Sequence, residues 1–187
     1  LSFVPPDGNF ELMRYRVRSG VAHGFNPPVY CQPQLGYGEA KDGKSLDGRI
    51  TLNVGARSIS SLIFSASRRG PLIVEDVAVV IPFPSIVKTA NLSANMGVVV
   101  YDEAGKVAKW VIGKLDEKMR PQLTGTMTVD GTRRPEENPP LTVTWKIPLA
   151  SVSGLSVSGL SISGERYKPY KGVRNITKSG RFQVRCN

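Results

Sequence analysis

Seven cations crowd the end of this 187-residue sequence. After Glu165 no acidic residue follows, while Arg166, Lys168, Lys171, Arg174, Lys178, Arg181 and Arg185 do. With a formal net charge of +10, the chain is attracted to something anionic: nucleic acid, a phosphoinositide-bearing membrane or an acidic protein. Charge alone does not choose among them, and a solvated strand face of alternating Lys and Arg would have the same composition. Groups able to do covalent chemistry are sparse. His23 is the one histidine, and its setting, Ser19-Gly20-Val21-Ala22-His23-Gly24-Phe25-Asn26-Pro27, reads as an exposed loop rather than the seat of a general base. Glu136 and Glu137 are adjacent, so on an extended chain their carboxylates face apart and make no acid pair. Tyr37 between Gly36 and Gly38 reads as a turn, and no nucleophile elbow, phosphate loop or dinucleotide fingerprint is present. Cys31 and Cys186 are too few for a thiolate metal site or a disulfide scaffold, which favours a reducing compartment and leaves a single bridge between them open. The expectation is a protein without catalytic residues, cofactor or metal.

The elements that position these residues must be strands. Nineteen Gly and 14 Pro punctuate the chain so often that helical windows stay short. Phe10–Val17 follows the turn signal Pro5-Pro6-Asp7-Gly8-Asn9, Ile50–Val54 alternates as a half-buried strand does, and Val74–Ile81 is an apolar run stopped by Pro82 and Pro84. Gly97–Tyr101 and Val107–Ile112 read as a hairpin around Asp102-Glu103-Ala104-Gly105. Leu123–Val129 and Leu141–Ile147 read as a second pair, and Lys171–Ile176 with Phe182–Cys186 as a final one. Between them, Leu155 and Val157 occupy odd positions and Leu160 and Ile162 even ones; the slip at Ser158-Gly159 fits either a β-bulge or a turn between two short strands. Many short strands at intervals near ten residues predict an all-β antiparallel sandwich. The longest apolar runs fall far short of the roughly 20 residues of a spanning helix. The opening Leu1-Ser2-Phe3-Val4-Pro5-Pro6 lacks the pattern of a signal peptide and reads like the interior of a longer protein.

The segment Leu1-Ser2-Phe3-Val4-Pro5-Pro6-Asp7-Gly8-Asn9-Phe10-Glu11-Leu12-Met13-Arg14-Tyr15 resembles the hallmark of the mu homology domain of adaptor-complex medium subunits. Further likeness follows in order at Val80-Ile81-Pro82-Phe83-Pro84, Trp110-Val111-Ile112-Gly113-Lys114, Pro135-Glu136-Glu137-Asn138-Pro139-Pro140, Ser153-Gly154-Leu155, Tyr167-Lys168-Pro169-Tyr170-Lys171-Gly172-Val173-Arg174 and Ser179-Gly180-Arg181-Phe182-Gln183-Val184-Arg185-Cys186. The Pro-Glu-Glu-Asn-Pro and Lys-Gly-Val-Arg stretches look most like the medium subunit of the third adaptor complex.

The resemblance implies an elongated all-β domain in which one antiparallel sandwich subdomain is inserted into another. Residues 1–20 and 148–187 would form part of an outer, signal-binding subdomain and 21–147 the inserted one, with the family's opening strands missing. It implies recognition of tyrosine-x-x-bulky-hydrophobic sorting signals by addition of the peptide to a sheet edge. That edge would be Lys171-Gly172-Val173-Arg174. Val157 and Leu160 would line an apolar pocket beside Val173 and the Lys171 stem, and the Arg174 guanidinium would pack on the signal's Tyr ring. Where several relatives carry a Trp, this chain has Gly172, so one wall of the Tyr pocket is absent. The resemblance further implies partners among cytosolic tails of membrane cargo and the other subunits of a heterotetrameric adaptor complex. Phosphoinositide contact would run through Arg166, Lys168, Lys178 and Arg181, at Golgi and endosomal membranes and coated vesicles. No nucleic-acid partner is expected, because the basic stretch carries only Tyr167, Tyr170 and Phe182 as aromatics. A basic nucleic-acid-binding β-module and a structural adaptor subunit without signal binding are the alternatives.

Overall fold

The strands of this protein are set by alternation. In Leu46–Ala56, the side chains of Leu46, Ile50, Leu52 and Val54 are buried while Asp47 and Arg49 face water. In Leu141–Pro148, Leu141, Val143, Trp145 and Ile147 turn inward and Thr142, Thr144 and Lys146 outward. The computed structural model describes residues 1–17, 27–58, 63–64 and 72–186. His23 and its loop lie outside the described residues.

Among these residues the structure is all-β. In chain order the strands are β1 (Val29–Glu39), β2 (Leu46–Ala56), β3 (Ile63–Phe64), β4 (Val74–Pro82), β5 (Val87–Ala94), β6 (Val98–Asp102), β7 (Val107–Leu115), β8 (Gln122–Val129), β9 (Leu141–Pro148), β10 (Ala150–Ser151), β11 (Ile176–Lys178) and β12 (Phe182–Val184). One sheet has the order β1-β2-β8-β5. The other runs β11-β9-β4-β7-β6, with β12 beside β11 on β9, and β3 pairs separately with β10. Every pairing is antiparallel. The inner faces share one core, in which Ile50, Leu52, Leu123 and Met127 meet Val79, Ile81, Trp110 and Val143. Each such side chain contributes about 1.5–3 kcal/mol on leaving water. Trp110 is fully buried and donates its indole N–H to the Met96 carbonyl at 2.9 Å.

The hairpin expected around Asp102 is β6–β7, with Val98 opposite Val111 and Asp102 opposite Val107. The Asp102 carboxylate closes its turn by accepting from the amides of Ala104 and Gly105 at 3.1 Å each. β4 extends through Pro82 and carries a bulge at Glu75–Asp76, where Asp76 has φ 55°. Lys146 on β9 bridges the bulge, 3.2 Å from Asp76 and 3.5 Å from Glu75. The hydrogen bond to Asp76 is the main cause of a raised Lys146 pKa.

Several expectations need correction. β8 and β9 do not pair: β8 lies between β2 and β5, and β9 between β4 and the β11/β12 edge. The connection between them is long enough to cross the roughly 10 Å from one sheet to the other. Phe10–Val17 and Leu155–Ile162 form no ladder, and of Lys171–Ile176 only Ile176 enters a strand. Apart from half-buried Asn175 these segments are exposed, and an extended segment without a hydrogen-bonding neighbour is not a strand. The slip at Ser158-Gly159 is therefore no ladder bulge. Tyr37 is a residue of β1, not of a turn, and its hydroxyl donates to Asn138 Oδ1 at 2.8 Å.

Candidate functional site

Past Ser151 the chain leaves the sandwich, and residues 154–175 run across its surface without a backbone ladder. Apart from the Leu155 amide on Ser153 Oγ and the Leu160 carbonyl under Lys171, their backbone N–H and C=O groups are left to water or to whatever strand is laid beside them. Apolar side chains accompany this open backbone. Val157 is 52% exposed, Val173 49% and Leu160 39%, with Leu155 and Ile162 similarly open. Val157 and Arg174 line one cleft of about 830 Å³ together with Tyr15, Trp145, Leu155 and Ile176. The Tyr15 hydroxyl and the Ser153 hydroxyl share a hydrogen bond of 2.5 Å across 138 residues of sequence, tying the first segment to the cleft's rim.

A second hollow of about 740 Å³ holds Lys168 and Lys171 beside Ile162, Tyr167 and Tyr170. The Lys171 ammonium donates to the Leu160 carbonyl, which joins residues 160 and 171 across the loop. Of the six residues expected to hold a peptide, four thus fall into two pairs, Val157 with Arg174 and Leu160 with Lys171. Gly172 and Val173 lie exposed after Lys171; a Cβ placed on Gly172 would lie 3.7 Å from the Tyr170 hydroxyl and otherwise meets open space.

Arg166, Lys168, Lys178 and Arg181 are all exposed, and none belongs to an ion pair among the described residues. Lys178 stands at the end of β11 opposite Lys146, and Arg181 in the turn before β12. Sequence reasoning missed Tyr15, Trp145, Ser153 and Ile176. A polar residue pair so far apart in sequence leaves no local periodic signal.

The two cysteines are free thiols at the junction of β1 with the C-terminal strand. Burial, and secondarily the nearby Cys186, push the Cys31 thiol up to about 12. Burial raises Cys186 as well.

Comparison with known proteins adds three findings. The family model described as "Adaptor complexes medium subunit family" matches residues 1–186. The AP-3 complex subunit mu of Dictyostelium discoideum is 42% identical over 187 residues, covering 99% of this chain and 41% of that protein, and the human AP-3 complex subunit mu-1 is 37% identical with the same coverage. The chain therefore spans about 41% of the length of the curated relatives it matches. The solved Fcho1 mu homology domain of Danio rerio with bound Eps15 peptide superposes with a TM-score of 0.53 at 15% identity, covering 86% of this chain and 51% of that one. That match is one of fold.

Proposed function

Because the chain belongs to the adaptor complexes medium subunit family, we propose that it is a cargo-recognition domain of a vesicle-coat adaptor. In this reading it binds tyrosine-x-x-bulky-hydrophobic signals in the cytosolic tails of membrane proteins, for transport from Golgi and endosomes to lysosomes or vacuoles. One observation carries it: the backbone around 171–174 has no ladder partner, and exposed apolar residues accompany it, Val157 on one cleft with Arg174, Leu160 bonded through its carbonyl to Lys171, and Val173 between them in sequence. A peptide laid along Lys171-Gly172-Val173-Arg174 would give those amides and carbonyls partners, while its last apolar side chain covers Val157 and Leu160. The Arg174 guanidinium would face the signal's Tyr ring. With Gly172 offering no side-chain wall, stacking of about 0.5–1.5 kcal/mol is forgone and binding is weak.

The same reading assigns 1–20 and 148–187 to the outer subdomain and 21–147 to the inserted one, so the ladders of β11 and β12 on β9 would be the seam between them. Exposed Arg166, Lys168, Lys178 and Arg181 would meet phosphoinositide headgroups on Golgi and endosomal membranes. The other partners would be the remaining subunits of a heterotetrameric adaptor complex. That the Fcho1 domain of similar fold was solved with a bound peptide supports a peptide-holding role. The test is calorimetric titration of the chain with a Tyr-x-x-Leu peptide. Binding should be lost with Val157→Ser and with Leu160→Ser, and affinity unchanged by both would reject this pocket.

A further inference from the structure

Among the described residues, each sheet of the sandwich ends in strands that pair on one side only, and three of these four edges are blunted. β1 carries Pro33, Gly36 and Gly38. β5 has Lys88 at a register shift and exposed Lys88, Thr89, Asn91 and Ser93. The fourth side of the sheets, β11 with β12, is broken into two pieces of three residues. β6 has none of these devices. Its five residues, Val98-Val99-Val100-Tyr101-Asp102, include no Pro, Gly or Lys and pair only with β7 among the described residues. Val98 and Val100 point outward at 65% and 64% exposure. They continue an apolar face, since Val98 is level with Val111 and Ala78, and Val100 with Lys109 and Val80.

The charge beside the two valines is positive, while Asp102 and Glu103 lie at the turn end of β6. Lys109 stands exposed in the middle of the valines and takes part in none of the ion pairs among the described residues. Asp102, the next outward position of β6, has its carboxylate turned onto the amides of Ala104 and Gly105. A long Lys stem can lie over Val100 and bring its ammonium to a strand added outside β6. Two copies of this chain, each of net charge +10, repel, so a second copy is a poor occupant.

We propose that the free edge of β6 is a second docking site, which takes by strand addition an extended segment of another protein carrying apolar and acidic residues two positions apart. The spacing follows from the register: same-face residues alternate along an added strand, so one faces Val98 and the next faces Val100 and Lys109. β6 and β11 are opposite ends of one sheet, so this site is separate from residues 171–174 and stands or falls independently of the signal-binding reading.

The probe is the acetylated, amidated peptide Thr-Val-Thr-Glu-Thr-Val-Thr, whose palindromic pattern serves either strand direction. It is titrated into the ¹⁵N-labelled 187-residue chain by NMR, with affinity read from anisotropy of a fluorescein-labelled copy. The shifts are expected on residues 98–102 and 107–111, with N-methylation of alternate peptide residues abolishing binding in one phase and not in the other. Val98→Ser with Val100→Ser, both at exposed positions, should weaken binding about fivefold or more. Lys109→Glu should reverse the preference between this peptide and its Glu-to-Lys counterpart. Absence of binding, shifts mapping elsewhere, equal tolerance of both N-methylated phases, or dimerisation of the chain through β6 would each overturn the proposal.

Discussion

Replacing Gly97 by Ala tests the hairpin geometry on which the β6 edge depends. Gly97 has φ 80°, and a Cβ there would fall 2.2 Å from the Val111 carbonyl oxygen and 3.0 Å from the Ile112 Cα. The left-handed conformation costs a non-glycine residue about 1–2 kcal/mol. The overlap falls on backbone of β7, so β6 must move away from the strand it pairs with, at a further cost of about 1–3 kcal/mol. Gly113 supplies the control: its φ is 85°, but a Cβ there meets nothing within 4 Å. Reduced freedom of the unfolded chain returns about 0.4–1 kcal/mol to both variants. With a urea slope of about 1–3 kcal/mol per molar, Gly97→Ala should lower the unfolding midpoint by about 1–2 M and Gly113→Ala by well under 1 M. Urea titration followed by far-UV circular dichroism reads both. Equal losses in the two variants would refute the reasoning, because strain common to both would then be the whole effect.

Three further outcomes are expected. Trp110→Phe should cost about 2–4 kcal/mol in urea unfolding, since it removes ring volume from a fully buried site and leaves the Met96 carbonyl without its donor. Cys31 should resist iodoacetamide in the folded chain at pH 8 while half-buried Cys186 reacts first, read by peptide mass mapping. Its folded pKa lies above the unfolded value, so the stability held in the neutral thiol is complete below the unfolded thiol pKa and is lost as pH climbs from there toward about 12. Asp42, whose carboxylate accepts from the amides of Lys44 and Ser45 and from the Ser45 hydroxyl, should titrate by NMR below the ordinary carboxylate range, chiefly through the Lys44 amide. Its contribution to the turn therefore holds above the unfolded carboxylate pKa and falls away as pH drops through the folded one.

The sandwich was legible where alternation and punctuation agree. Ile50–Val54 reads as a strand because its apolar and polar residues separate cleanly, and β4 ends at Pro82, one residue past the limit that the sequence suggests. β1 is hidden in the sequence because Pro33, Gly36 and Gly38 break its pattern, although an edge strand tolerates a missing donor. β5 is hidden because its outward face is polar and carries few β-favouring side chains. The expected pairing of β8 with β9 fails because adjacency in sequence says nothing about which sheet a strand joins. At the surface, Phe10–Val17 and Leu155–Ile162 have strand-like composition, but composition cannot provide a neighbour to hydrogen-bond. The contact of Tyr15 with Ser153 is set by tertiary packing alone.

The role proposed for the C-terminal loop is tested most directly by hydrogen–deuterium exchange across residues 171–174, with and without a Tyr-x-x-Leu peptide. Free, these amides should exchange at the rate of unpaired backbone, as their lack of a ladder requires. With peptide at saturation they should slow at alternate positions, as an added antiparallel or parallel strand demands. Protection before peptide is added, or bound peptide that leaves these amides as fast as before, would contradict the account.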